Sequence, residues 1–241
     1  MIYEDVYMLK DVSVIIIGEL TPLLREWSGI INDEIEVVYL SEEDLFSFRT
    51  DKKMNFIISD FCRLSISARY FLLKNDKLGE YQILYLFTNQ EIFSIDEIKM
   101  IYTYPVNSES SIYLIQNNIR GMLRALVGPH LISISIRDFK YLFGHIGCKP
   151  PAFTFGIGKG KEYDSRAKKA VEVALCNIKD INEAKEILLY ITSGYDFSIN
   201  EFNQINDLIL EKVRDDATIM VGVNMDITLE NILFLDVWYR T

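Results

Sequence analysis

Leu188-Leu-Tyr-Ile-Thr-Ser-Gly-Tyr-Asp-Phe-Ser-Ile-Asn-Glu-Phe202 is the stretch on which the reading of this chain turns. Its first part, Ile187 to Thr192, is an apolar and β-branched run that reads as a buried strand. Ser193, Gly194 and Asp196 then supply turn chemistry. Ser198, followed three residues later by Glu201, forms a capping box, and an amphipathic helix continues through Phe202, Ile205, Leu208, Ile209 and Val213. Two further strands are expected downstream, at Ala217 to Val223 and Ile232 to Tyr239.

Upstream of this stretch, Ala152 to Ile157 reads as a strand that enters a loop carrying Gly156, Gly158 and Gly160. A helix is expected from Ser165 to Cys176, with Asp164 as N-cap and Ala167, Ala170, Val171 and Ala174 on one face. Another helix is expected from Arg137 to His145, before the Lys149-Pro150-Pro151 break. The second half is therefore an α+β domain with a mostly buried sheet. The first half alternates apolar runs with helical patterns: strands at Val12 to Ile17, Ile35 to Leu40, Met54 to Ile58, Gln82 to Phe87 and Ser111 to Ile115, and helices at Pro22 to Ile31, Leu64 to Lys74 and Ile95 to Tyr102. The last of these helices opens on a Ser94–Glu97 capping box. Such alternation is how a parallel, Rossmann-like layer with crossover helices is written. The fold class is thus α/β: a nucleotide-binding-type domain over 1–116, a short connecting helix within 117–130, and an α+β domain over 131–241. The connecting helix, Asn117 to Val127, spans about three turns, about 16 Å.

The composition excludes several classes of function. With 25 Lys+Arg against 35 Asp+Glu, the net charge of −10 argues against a nucleic-acid binder that neutralises phosphates. A hydrophobic fraction of 49% leaves no room for extensive disorder. Apolar runs such as Val12 to Gly18 fall far short of the ~20 residues that cross a bilayer, and the acidic start Met1-Ile-Tyr-Glu-Asp5 lacks the basic region of a secretory leader. Cys62, Cys148 and Cys176 lie far apart, as cytosolic thiols do rather than a zinc set or a disulfide framework. With His130 and His145 the only histidines, the expectation is no metal site and a cytoplasmic location.

The Leu188 to Phe202 stretch, with Asp216-Ala-Thr-Ile-Met-Val-Gly-Val-Asn224, resembles the second domain of FtsZ, the tubulin-like bacterial cell-division GTPase. In that family an Ile-Thr-x-Gly-x-Asp turn leads to a helix opening near Glu-Phe, and an Ala-Thr-Ile-x-x-Gly strand follows. Phe155-Gly-Ile-Gly158 with Arg166-Ala167 is similar to the family's Gly-x-Gly strand and Arg-Ala helix, and Gly128-Pro129-His130-Leu131-Ile132 to the segment leaving its central helix. The resemblance runs from about residue 128 to the end. In the first half only the order of strands is similar.

The resemblance implies a GTP site at the ends of the first-half strands, and there the residues differ from what phosphate binding needs. Glycines let backbone N–H groups approach phosphate oxygens at a helix N-terminus. Here the first strand runs into Gly18-Glu19-Leu20-Thr21-Pro22, and the family's glycine-rich loop is replaced by Asp60-Phe-Cys-Arg-Leu-Ser-Ile-Ser67, which has no glycine. Arg63, Ser65 and Ser67, with Arg69, are candidates for a different anion pocket at that helix start; a solvated helix face explains them with fewer assumptions. The family's hydrolysis loop, Asn-x-Asp-x-x-Asp, corresponds to Ser133-Ile-Ser135-Ile-Arg-Asp138, so Asp138 is its one remaining acid and no catalytic residue is assigned. Capping the next helix is the simpler role for Asp138. Lys159, Lys161, Arg166, Lys168 and Lys169 read as a solvated helix entry that could receive an acidic partner surface.

The function expected from these readings is an FtsZ-like, non-catalytic scaffold or regulator. It would associate with itself or with a filament-type protein partner and bind no cofactor. The alternative is a divergent GTP-binding GTPase. An unrelated enzyme on the same scaffold finds no convergent acid, base and nucleophile.

Overall fold

The computed structural model describes residues 9–18, 35–74, 77–90, 92, 99–104, 109–127, 130–143, 151–160, 165–176, 178 and 180–241. The expected helix Pro22 to Ile31, the Ser94–Glu97 box and the Asp164 cap lie outside these residues. The chain divides into two compact units, 1–119 with 143–150 and 120–142 with 151–241.

The first unit is built on a parallel sheet. β1 (Val12–Ile17), β2 (Glu36–Leu40), β3 (Met54–Ser59), β4 (Tyr81–Phe87) and β5 (Lys99–Tyr104) lie in the order β2-β1-β3-β4-β5. β1 and β3 are buried along their whole length, as strands with both faces covered must be. The register aligns Ile15, Ile57, Leu84 and Ile101 in one row across four strands. That row packs in one core with Ala68 and Leu72 of α2 (Ile66–Lys74) and with Leu45 of α1 (Glu42–Leu45). The strand order reverses direction between β1 and β3, and in such sheets ligands sit outside the carboxyl ends of the strands at that point.

Two expected elements are corrected. The end of the helix expected over Ile95 to Tyr102 is strand: Lys99–Tyr104 is β5, whose β-branched and aromatic Ile101-Tyr102-Thr103-Tyr104 run pairs along β4, while residues 95–98 lie outside the described ones. Ser111 to Ile115 is not a strand, and the connecting helix is not short: α3 runs from Glu109 to Leu126, 18 residues, about 27 Å. Ile112, Ile115, Ile119, Met122 and Leu126 recur at spacings of three and four and are all buried. One continuous helical stripe thus overrides the local strand signal. Residue 117, the expected domain boundary, lies inside this helix.

The second unit contains α4 (Ile136–Phe143), α5 (Arg166–Leu175), α6 (Ile199–Leu210) and the sheet β6-β9-β7-β8. β6 is Ala152–Lys159, β7 Glu186–Ser193, β8 Thr218–Met225 and β9 Ile232–Arg240, with β9 antiparallel to both neighbours and β7 parallel to β8. Ala167, Ala170, Val171 and Ala174 of α5 form a core with Ile187, Leu189, Ile191, Leu235 and Val237 of the sheet and Ile205 and Ile209 of α6. Gly156 and Gly158 belong to β6 and not to a loop after it. A Cβ on either would stand 1.8 Å from the carbonyl oxygen of Ala170 or Arg166, so α5 rests directly on the strand backbone. Their role is close packing of the helix on the strand.

Candidate functional site

At the carboxyl ends of β1, β2 and β3 lies a cavity of about 550 Å³, walled by Gly18, Tyr39, Ser41, Glu42, Glu43, Asp60 and Arg63 among others. Gly18 turns the chain out of β1 with φ +87°, a left-handed conformation that favours glycine, while its N–H donates to the Leu40 carbonyl at 3.0 Å.

The loop after β3 is a packed turn rather than an open cradle. Phe61 and Leu64 point inward and join the core of the first unit. Asp60 is also buried. Its Oδ2 pairs with the Arg63 guanidinium at 3.1 Å, and its backbone carbonyl accepts the Arg63 N–H at 3.0 Å. Arg69 turns back over the loop, donating to the carbonyls of Leu64 at 2.9 Å and Cys62 at 2.6 Å, with its guanidinium 5.5 Å from the centre of the Phe61 ring. Ser65 caps α2 by accepting the Ala68 N–H at 3.2 Å. Its own N–H, at the start of α2, donates to the Glu42 carboxylate at 3.1 Å. Hydrogen bonding from Ser65, through its side chain first and its N–H second, holds the Glu42 carboxyl below its usual range, with Arg69 adding to the effect. A helix N-terminus attracts anions; here the anion beside it is a side chain of the same chain.

Each of the four residues considered for an anion pocket has a partner within the chain or faces solvent. Arg63 is engaged by Asp60, Arg69 by backbone carbonyls, Ser65 by the cap and Glu42, and Ser67 is exposed on α2. Glu42 itself was missed by sequence reasoning. It sits in the acidic run Ser41-Glu-Glu-Asp44, whose composition says only that it is solvated.

In the second unit, Ser135 and Asp138 close a reciprocal cap on α4. Asp138 Oδ2 accepts from the Ser135 N–H at 2.7 Å and from its hydroxyl at 2.8 Å, while Ser135 Oγ accepts the Asp138 N–H at 3.3 Å. Both oxygens of the Glu201 carboxylate are held by Arg166, at 2.6 and 3.0 Å, and Asp196 takes the remaining arm of the guanidinium at 2.7 Å. Glu201 also accepts from the Ser198 N–H at 3.1 Å, so one carboxylate completes both the ion pair and the capping box of α6. Arg166, expected on a solvated helix entry, is buried, and its pKa is held above the ordinary value chiefly by the Glu201 hydrogen bonds. Lys159, Lys168 and Lys169 are exposed, and Lys161 lies outside the described residues.

Two more polar contacts of this unit were not anticipated. Arg124 grips Asp236 with bonds of 2.7, 2.8 and 3.1 Å, and Tyr190 bonds His130 Nδ1 at 2.5 Å. A lone aspartate inside the apolar β9 run Ile-Leu-Phe-Leu-Asp-Val-Trp was the available signal, since a buried carboxylate needs a partner. Among the described residues no group of three or more His, Cys, Asp or Glu is placed to hold a metal ion, and no helix is long and apolar enough to cross a membrane.

A parallel sheet of order 2-1-3-4-5, a long helix after it and a second mixed sheet make the architecture that of tubulin and FtsZ. Comparison with known proteins agrees: residues 152–238 match the model of the FtsZ family, C-terminal domain. The cell division protein FtsZ of Wigglesworthia glossinidia brevipalpis is 26% identical over 117 residues, which cover 47% of this chain and 29% of that protein. An empty FtsZ dimer from M. jannaschii superposes with a TM-score of 0.61 at 14% identity, covering 95% of this chain and 88% of that one. GDP-form protofilaments of TubZ from Bacillus thuringiensis serovar israelensis give a TM-score of 0.55 at 10% identity, covering 97% and 84%. The chain thus has the tubulin/FtsZ fold, and its second half is similar in sequence to the FtsZ C-terminal domain. The matched stretch is less than a third of the length of the curated relative.

Proposed function

We propose that this chain is a non-catalytic, cytoplasmic FtsZ-like scaffold or regulator that associates with itself or with a filament-type partner without bound GTP. The observation that carries this reading is the Glu42 carboxylate on the Ser65 N–H at 3.1 Å, where a triphosphate would need a vacant donor. Two further features support it. The loop from Asp60 to Ser67 fills its interior with Phe61 and Leu64, and Asp138 is spent on capping α4 with Ser135, which as a hydroxyl is no base at neutral pH. Relatives are described as a dimer and as protofilaments, which favours assembly as the activity that outlasts the loss of a ligand. A role in cell division would follow from partnership with an FtsZ.

The alternative, a divergent GTP-binding GTPase, is favoured by one feature, the cavity of about 550 Å³ at the strand-order reversal with Gly18 at its edge. Sedimentation and light scattering at rising protein concentration, with and without GTP, separate the two. The scaffold reading expects assembly or partner binding that GTP does not change. Assembly that appears only with GTP contradicts it, and a strict monomer under all conditions leaves a heterotypic partner as its remaining form.

A further inference from the structure

We infer that two copies of this chain pair edge to edge through β8, antiparallel and about a two-fold axis at Met220; this rests on the reading that the chain associates with itself. The first observation is the direction of the backbone groups. The Thr218 N–H donates toward β7, to the Lys185 carbonyl at 2.7 Å, and the Asp226 N–H to the Ser193 carbonyl at 2.8 Å. Alternation along a strand paired in parallel with β7 therefore turns the N–H and C=O of Ile219, Val221 and Val223 away from the sheet. Val223 shows the same direction: its N–H donates to the Ile132 carbonyl and its carbonyl accepts from the Ile132 N–H, each at 3.0 Å. Ile219 and Val221 have no backbone partner on that side among the described residues. The second observation is that this edge is unprotected. Sheet edges are templates for another strand and are ordinarily blunted by charge, proline or a bulge. β2 carries Glu36, β5 Lys99 and β6 Lys159, whereas Thr218-Ile-Met-Val-Gly-Val-Asn-Met225 has neither charge nor proline, and its register with β7 runs without a bulge.

The open edge is complementary to itself. In an antiparallel pair centred on Met220, Ile219 stands opposite Val221 of the second copy, and Val221 opposite its Ile219. All of these are outward-facing positions, so each opposed pair exchanges both of its N–H···O bonds. Met220 meets Met220 of the second copy across the axis as a non-hydrogen-bonded pair, the spacing at which side chains are closest. The length of the edge selects this occupant over an arbitrary extended peptide. Ile132 closes the edge at Val223, so a longer strand would run into it. The second copy's strand begins at Thr218, after a turn in which the Ala217 N–H donates to the Arg214 carbonyl at 3.1 Å, so its residues 218–222 fit against 222–218 and the chain turns away before Ile132. Ile219 and Val221 are only partly buried against the core of the second unit, and pairing covers apolar surface that a single copy leaves open. Such an interface is isologous and closes as a dimer, leaving the remaining surface for a filament-type partner.

The test is sedimentation velocity of the purified full chain at concentrations from about 1 to about 200 µM, without nucleotide and with GTP plus magnesium. A reversible monomer–dimer equilibrium that GTP does not change is expected. Val221→Pro removes an outward donor and no bond to β7, because that N–H faces away from it, and is expected to raise the dimer Kd by about tenfold or more. Met220→Lys and Met220→Glu each place like charges directly across the axis, so each alone is expected to be monomeric and an equimolar mixture of the two to recover the dimer. That recovery requires two folded variants, and it keeps the test valid if Val221→Pro does not fold. A strict monomer up to about 200 µM overturns the edge dimer and leaves the scaffold reading standing with another partner. A dimer that all three substitutions leave unchanged overturns β8 as its surface, and a mixture that stays monomeric overturns the axis at Met220. Association seen only with GTP overturns the scaffold reading itself.

Discussion

The loop at the end of β3 and the junction of α5, β6 and α6 both carry charged residues beside a helix start, yet they use charge in opposite ways. At the junction, Arg166, Asp196 and Glu201 satisfy one another inside the protein, and Gly156 and Gly158 let the helix backbone lie on the strand. Every group there has a structural task that needs no ligand. At the β3 loop, the corresponding work in a nucleotide protein would be done by vacant N–H groups awaiting an external anion. In this chain the Ser65 N–H there meets an internal carboxylate, and Phe61 and Leu64 of the loop pack into the core. The contrast explains where the FtsZ resemblance is strong. The second unit keeps residues whose partners are internal, whereas the loop after β3 has no glycine and places an internal carboxylate on the Ser65 N–H.

This comparison can be broken at its strongest point. Replacing Arg166 with Met leaves Glu201 buried without its partner, and a loss of about 4 kcal/mol in urea unfolding is expected. The double variant Arg166→Met, Glu201→Gln should recover part of that loss. A loss under about 1 kcal/mol for the single variant would show the junction to be tolerant rather than structural. Gly158→Ala drives a methyl into the Arg166 carbonyl and should cost about 3 kcal/mol, read as a lower thermal midpoint. Asp138→Ala removes the cap on α4 and should cost about 1 kcal/mol. Were Asp138 to serve a partner instead, assembly would change in that variant while stability stayed level.

The smallest effect is a pH dependence at the β3 loop. The Ser65 hydrogen bond holds the Glu42 carboxyl below its unfolded value, so its contribution is present above the ordinary glutamate range and is lost as pH falls through the folded value. Wild type should therefore lose stability below about pH 4.3 more steeply than Glu42→Gln. Superimposable pH profiles would mean that the Glu42 contact does not form in solution.

Much of this architecture was legible from residue pattern. β1, β3, β4, β7 and β9 are apolar runs bounded by turn or polar residues, and the Ser198–Glu201 box announced α6. The strand at 99–104 and the helical stretch at 111–115 were misread because a short run such as Ser111 to Ile115 is ambiguous alone; only the stripe continued to Leu126 fixes its period. The candidate site was legible as an absence of glycines but not as a presence. The Glu42–Ser65 contact joins residues 23 positions apart, and the Arg166–Glu201 pair joins residues 35 apart. No local pattern reports such pairings; the sheet register and helix packing bring them together.

The most direct test of the central claim is calorimetric titration of GTP with magnesium into the purified wild-type chain. The account predicts no saturable heat. One-to-one binding with a micromolar or tighter Kd would contradict it.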